Sequence, residues 1–435
     1  MPMPIPAVLA PVRRDATTDH YELACHEATA QALPGARTPI FGYGGVWPGV
    51  TLQVTRGRAA HVRVENRLRE NVSVHNHGHH VAADSDGHPL AYVRPGQSRV
   101  YVYPNRQSGG TYWYHDHAMH QTGPHVYRGL AGFYLIHDPA EDELGLPSGE
   151  FDVPLCLQDR LFDAQNALLY KVDEGTTFTG LLGNAACVNG VHCPDFAVAA
   201  RKYRLRLLNA ANSRNLRLAL SSGQPLVQIA SDGALLPAPL SRKAIDLAPA
   251  ERADCVVDFS ALSPGASVVL RNLDPTWPEV PELLRFSVRR KATDASRVPA
   301  RLSTVTRLDP ARAHTTRRIT FQLSDGKWTM NGLRYDPGRI DFRPRLGSTE
   351  IWELHNKEQT QMHPFHHHLV PFQVLDVNGE APPPDLRGWK DTVAVPPAGR
   401  VRIIMRFEGF TGVYVFHCHK LEHEDHAMML QEEVV

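Results

Sequence analysis

Four short strings carry the side chains best suited to chemistry: His75-Asn76-His77, His115-Asp116-His117, His363-Pro364-Phe365-His366-His367-His368 and His417-Cys418-His419, the last followed by His423 and Met428. Imidazole is the commonest metal ligand among side chains. In an extended chain alternate side chains share a face, so each His-x-His step presents two imidazoles together. The pairs His75/His77, His115/His117, His366/His368 and His417/His419 therefore make one candidate polynuclear site. If His417 and His419 face one way, Cys418 faces the other, and a single strand touches two metal sites. A thiolate with two imidazoles and a weak axial thioether is the blue-copper donor set, and Cys418, His363, His423 and Met428 supply those donors. Zinc sites close at four ligands; eight imidazoles beside a separate Cys/His/Met set exceed that.

These strings need strands to hold them, and the sequence supplies strands. Runs such as Ala60-His61-Val62-Arg63-Val64, Arg99–Tyr103, Tyr203–Leu208 and Arg400–Ile404 alternate with a period of two, while helical periodicity is scarce. Clusters drawn from 34 Pro and 32 Gly punctuate the runs, the pattern of β-sandwiches and barrels. An alternating strand ending in Asn recurs three times, at Asn66, Asn209 and Asn356. A second repeat relates Gly110–His117 to Gly412–His419. Three related β domains follow, spanning 1–145, 146–295 and 296–435. The first and third carry the histidines; the middle one has leucines in their place.

Composition narrows the rest. Of 435 residues, 46 are Lys or Arg and 46 are Asp or Glu, so the net charge is zero and no basic field exists to hold a nucleic acid. No run reaches the ~18 apolar residues of a membrane span. Met1–Pro11 carries four prolines and no basic start, a poor secretory signal, and Arg13-Arg14 lacks an apolar stretch behind it, so the expected location is cytoplasmic. The 6 cysteines show no disulfide framework; Cys187 and Cys193 are close enough to pair, but free thiols are expected. The monomer or homo-oligomer state is left open.

The strings HNHG, DSDGHP, YWYHDHAM, GLAGFYLIHDP, RKYRLRLLNAANSR, LAPAER, HPFHHHLVPF, GWKDT and HCHKLEHEDHAMM together resemble the multicopper oxidases, and more narrowly the three-domain bacterial spore-coat laccases and the bilirubin oxidases. The resemblance covers nearly the whole chain. It implies an all-β protein of three cupredoxin-like Greek-key domains holding four copper ions, with no other cofactor. Type 1 copper falls to His363, Cys418, His423 and Met428. Type 2 falls to His75 and His366, and the type 3 pair to His77, His115, His117, His368, His417 and His419. Asp86 and Glu424 match acidic residues that deliver protons near the cluster. Asn76, Leu369, His426 and Ala427 depart from the common pattern.

The implied reaction is a laccase-like, copper-dependent oxidation of phenols or aromatic amines, one electron at a time, coupled to reduction of dioxygen to water. A small aromatic donor and dioxygen are then the partners. A bilirubin-oxidase-like or biosynthetic aromatic oxidase fits the same residues. A cuprous or ferrous oxidase is the main alternative, disfavoured because 8 Met form no rich insert. A copper-free scaffold fits worst, since no ligand is lost.

Overall fold

The computed structural model describes residues 1–276 and 282–435. Six β-sheets form three pairs, each pair drawn from one stretch of chain. The first pair has five and four strands, the second seven and five, the third five and four. Each pair encloses its own apolar core, and the result is the all-β, three-domain cupredoxin-like architecture. Among the described residues the α-helices are short: Thr122–Arg128, Glu174–Thr179 and Leu421–Asp425. None is long and apolar enough to cross a membrane.

The three domains share a pairing scheme. Thr18–Ala30 runs parallel to Ala59–Asn66, Asp152–Arg160 to Lys202–Asn209, and Thr315–Ser324 to Thr349–Asn356. Each second strand then pairs antiparallel with a third: Ser98–Tyr103, Arg252–Asp258 and Arg400–Arg406. Alternation in Ala59–Asn66 buries every second residue, as a half-exposed strand requires. In Lys202–Asn209 Arg204 and Arg206 are buried too. Arg204 donates to Asp254 at 2.5 and 2.9 Å, and Arg206 reaches Thr111 of the first domain at 3.0 Å. That face is a contact between domains rather than a solvent face.

The repeated asparagines do the same job three times. Each side-chain oxygen accepts from the backbone N–H two residues on, at Leu68, Ala211 and Glu358. Each amide nitrogen donates to one carbonyl a few residues ahead, at Glu70, Arg214 and Gln361. It also donates to a distant carbonyl, at Val93, Leu247 and Val395. An Asx turn of this kind ends the strand and sets the direction of the following loop. In the third domain that loop leads directly to His363. The six cysteines are free, Cys187 and Cys193 among them.

Asn209→Ala and Asn356→Ala should both lower the melting temperature, since each strands buried groups at about 1–3 kcal/mol per group. Only Asn356→Ala should weaken the Cys/His/Met site. Calorimetry with copper titration checks this; equal copper loss from both variants would contradict it.

Candidate copper centres

Register brings the histidines together. Val74–His77 lies at a sheet edge beside Gly110–Asp116, which places His75 opposite His115. In the third domain His363–His367 pairs with Gly412–Cys418, which places His366 opposite His417. The two ladders face each other across the contact between first and third domains. His75 stacks on His368 at 3.8 Å and His77 on His366 at 3.6 Å, so the ladders interdigitate. All eight imidazoles are at or below 1% exposed.

Their donor atoms converge. His75 Nδ1 donates to the Asp86 carbonyl, His366 Nδ1 to that of Asp391, His115 Nδ1 to that of Asp116 and His417 Nδ1 to that of Cys418. His368 Nδ1 donates to Asp86 Oδ2 at 2.8 Å. These acceptors fix the proton on Nδ1 and leave Nε2 as a lone pair. The Nε2 atoms then meet: His75 and His366 at 3.4 Å, His117 and His417 at 3.3 Å, His368 and His417 at 3.3 Å. Burial disfavours the charged form of His115 and His117, pushing His115 down to about 4 and His117 to about 3. Buried lone pairs at such distances repel unless a proton or a metal ion lies between them.

Three groupings emerge: His75/His77/His366, His77/His115/His419 and His117/His368/His417. The sequence named six histidines for a metal pair; the fold divides them three and three. His77 is turned the other way from His75 and His366. Its Nε2 faces Asp391 Oδ1 at 3.0 Å and Thr392 Oγ1 at 3.1 Å, and its Nδ1 is buried without a partner.

On the other face of the same strand, Cys418 Sγ lies 3.4 Å from His363 Nδ1 and 3.7 Å from His423 Nδ1. Helix Leu421–Asp425 carries His423, whose Nε2 donates to the Phe178 carbonyl at 3.0 Å and so leaves Nδ1 for a metal. Met428 is fully buried in the same apolar cluster as Cys418. Burial pushes the Cys418 thiol up to about 12, so the thiolate demands a compensating cation beside it. Soft thiolate, thioether and imidazole donors on one side and clustered imidazoles on the other fit copper.

Residues 24–141 and 306–435 each match a multicopper oxidase family model. The chain belongs to the multicopper oxidase family. A laccase from Bacillus subtilis is 35% identical, with 98% of this chain and 96% of that one covered. A bilirubin oxidase from Albifimbria verrucaria is 37% identical over 99% of this chain and 80% of its own. A solved laccase structure from Pediococcus acidilactici superposes with a TM-score of 0.93 at 34% identity, covering 100% of this chain and 94% of that one.

In this multicopper oxidase Asp86 and Glu424 both lie against the cluster. Asp86 reaches His75 through its carbonyl and His368 through Oδ2; its Oδ1 is buried and unpartnered. Burial pushes Asp86 up to about 8. Glu424 sits 3.2 Å from His117 Nδ1 and 3.1 Å from His417 Nδ1, at ion-pair distance though not aligned for hydrogen bonds. Those imidazoles hold it well below the usual carboxylate range, against the pull of burial. Two carboxylates in one cluster are thus driven in opposite directions.

The remaining histidines do other things. His367 points away from the cluster and meets Glu432 at 3.0 Å. His125 bridges Asp116 and Glu70, and His79 is enclosed by the rings of Tyr103, Tyr112 and Tyr134. Asn76, between His75 and His77, is buried. Leu369 and Ala427 hold positive φ of 65° and 70°, which glycine adopts without strain.

Asp391 was not singled out by the sequence. Its Oδ1 serves His77, its carbonyl serves His366, and both carboxylate oxygens bind Arg252 of the middle domain. GWKDT marks it only as part of a string; its role exists only where three domains meet. Asp391→Asn should weaken copper binding at the histidine cluster by the ~10–100-fold typical of a lost outer partner. The blue absorption of the Cys418 site should persist. Copper counts by equilibrium dialysis beside the visible spectrum check this, and undiminished cluster copper would contradict it.

Proposed function

We propose that the chain is a laccase-type oxidase that takes electrons singly from small phenols or aromatic amines and reduces dioxygen to water with four copper ions. His363, Cys418, His423 and Met428 would hold type 1 copper, and His75 and His366 type 2. His77, His115 and His419 would hold one type 3 ion, and His117, His368 and His417 the other. Copper supplies one-electron redox couples and a place for dioxygen to react. Four phenols lose four electrons and four protons, and one dioxygen takes up the same number to give two waters.

One observation carries this reading: His417, Cys418 and His419 are consecutive residues whose side chains enter two different sites. Electron acceptor and oxygen site are then joined by a few covalent bonds. The protein's other contribution is protons. Five of the imidazoles that wall the cluster have Nδ1 protons committed to acceptors, so few groups there can give one up. Asp86 Oδ1, buried, without a hydrogen bond and 3.6 Å from His75 Nδ1, is placed to hold a proton beside His75 and His368. Glu424, held ionised by His117 and His417, is placed to accept one.

Oxygen uptake with a phenol panel, set against Cu(I) and Fe(II), tests the reading. Faster uptake with phenols is expected; uptake with metal ions alone would replace it with a metal oxidase. Cys418→Ser should give a colourless protein that keeps copper at the histidine cluster and oxidises nothing; a blue, active variant would refute the assignment. Asp86→Asn and Glu424→Gln should stay blue and accept electrons anaerobically at the usual rate. Reoxidation of the reduced protein by oxygen should slow by roughly the 10²–10⁴-fold typical of a lost acid or base, as measured by stopped flow. Unchanged reoxidation in both would remove the two carboxylates from the mechanism.

A further inference from the structure

A laccase donor must come close to the side chains of the Cys418 site, yet His363, Cys418, His423 and Met428 are all 0% exposed. Part of their cover comes from the middle domain, which has no metal-binding histidines of its own. Between strands Asp152–Arg160 and Ala185–Val188 the chain crosses to the third domain and forms helix Glu174–Thr179. Asp173 and Thr176 close a capping box at its start. At its end Gly180 has φ of +83° and lies so near Ser213 that any Cβ would collide with it.

This segment is fastened to the site. The Phe178 carbonyl accepts from both His423 Nε2 at 3.0 Å and Trp328 Nε1 at 3.1 Å. Lys420 Nζ, itself buried, donates to Gln361 Oε1 at 2.6 Å and to the Thr179 carbonyl at 3.4 Å. The rings continue the connection. Phe178 stacks on Trp328 at 5.0 Å; Trp328 stacks on His423 at 4.9 Å and meets His363 edge-on at 4.8 Å. Trp328 is 2% exposed, whereas Phe178 is only half-buried. The outermost member of the aromatic series is therefore Phe178.

We propose that Phe178 is a specificity-determining residue: aromatic donors rest against its ring, with Trp328 between them and the two histidines, instead of touching a histidine edge. This rests on the reading of Cys418 as the electron-accepting site. The donor loses one electron to that site and its hydroxyl proton to water, and the dioxygen reaction regenerates the acceptor. Neither ring is oxidised; both are packed matter across which the electron passes. A flat donor gains offset or edge contact with Phe178, which aromatic pairs favour, and a donor without a ring gains nothing there.

Three measurements test this. In wild-type copper-free protein, diethyl pyrocarbonate should modify His363 and His423 far more slowly than exposed His137, as read by peptide mass spectrometry. Phe178→Leu keeps the apolar cover but removes the aromatic face. It should raise KM for a small phenol at least ~10-fold relative to KM for ferrocyanide, a loss within the range of an altered apolar contact. Trp328→Phe removes the N–H that holds the Phe178 carbonyl and should speed modification of His423 in the copper-free protein. Rapid modification of both histidines in the wild type, or a phenol-to-ferrocyanide KM ratio unchanged by Phe178→Leu, would overturn the inference. A wild type that oxidises ferrocyanide but no phenol would overturn both this and the proposed substrate class. A wild type that oxidises both, with an unchanged ratio in Phe178→Leu, would leave the laccase reading intact and sink this one alone.

Discussion

Eight buried imidazoles whose lone pairs face one another form the constraint that everything else serves. Protonation of His75, His366 or His368 does not relieve it, because burial and mutual repulsion disfavour the charged form of those rings. A metal can. The surroundings must then keep every ring aimed inward while the domains are pressed together. Backbone carbonyls do most of this: those of Asp86, Asp116, Asp391 and Cys418 each take one Nδ1 proton. A carbonyl placed by a strand or turn is a firmer guide than a rotatable side chain, and it costs no additional buried charge.

The middle domain acts on both centres without contributing a metal donor. Arg252 neutralises Asp391, which in turn fixes the orientation of His77. The Phe178 carbonyl fixes His423. Glu422, fully buried one residue before His423, accepts from Asn212, Ser213, Tyr170 and the N–H of Leu181, all from that domain. A buried carboxylate with this many donors is well paid for its lost hydration and gives helix Leu421–Asp425 a fixed seat. Loss of the middle domain would therefore be expected to disorder ligands it never touches as a donor.

Two residues beside the metal-binding strings hold left-handed backbone. Leu369 follows the last histidine of its string and holds a left-handed φ while its side chain joins the third domain's core. Core packing offsets the strain of a few kcal/mol at most that such a conformation carries. Ala427 precedes Met428 in the same conformation, with its N–H bonded to the Glu424 carbonyl, and this turn brings Met428 back beside the strand carrying Cys418.

Much of this was legible in the sequence. Periodicity of two marked the strands, because side chains alternate wherever the backbone is extended. The repeated Asn marked three equivalent turns, and its hydrogen bonds are local enough to survive as a motif. His-x-His with an intervening Cys implied two sites on one strand for the same geometric reason. Other features are properties of juxtaposition and leave no local trace. Alternation alone did not reveal that Arg204 and Arg206 face another domain. Neither the division of six histidines into two triads nor the reversed ring of His77 follows from spacing, since each depends on which domain supplies the neighbouring acceptor. Asp391 is one more carboxylate until Arg252 and His77 arrive from other domains. Phe178 lies in a stretch without pattern and matters only because the middle domain folds across the third. Sequence determines what a strand can present; only tertiary packing decides what it is presented to.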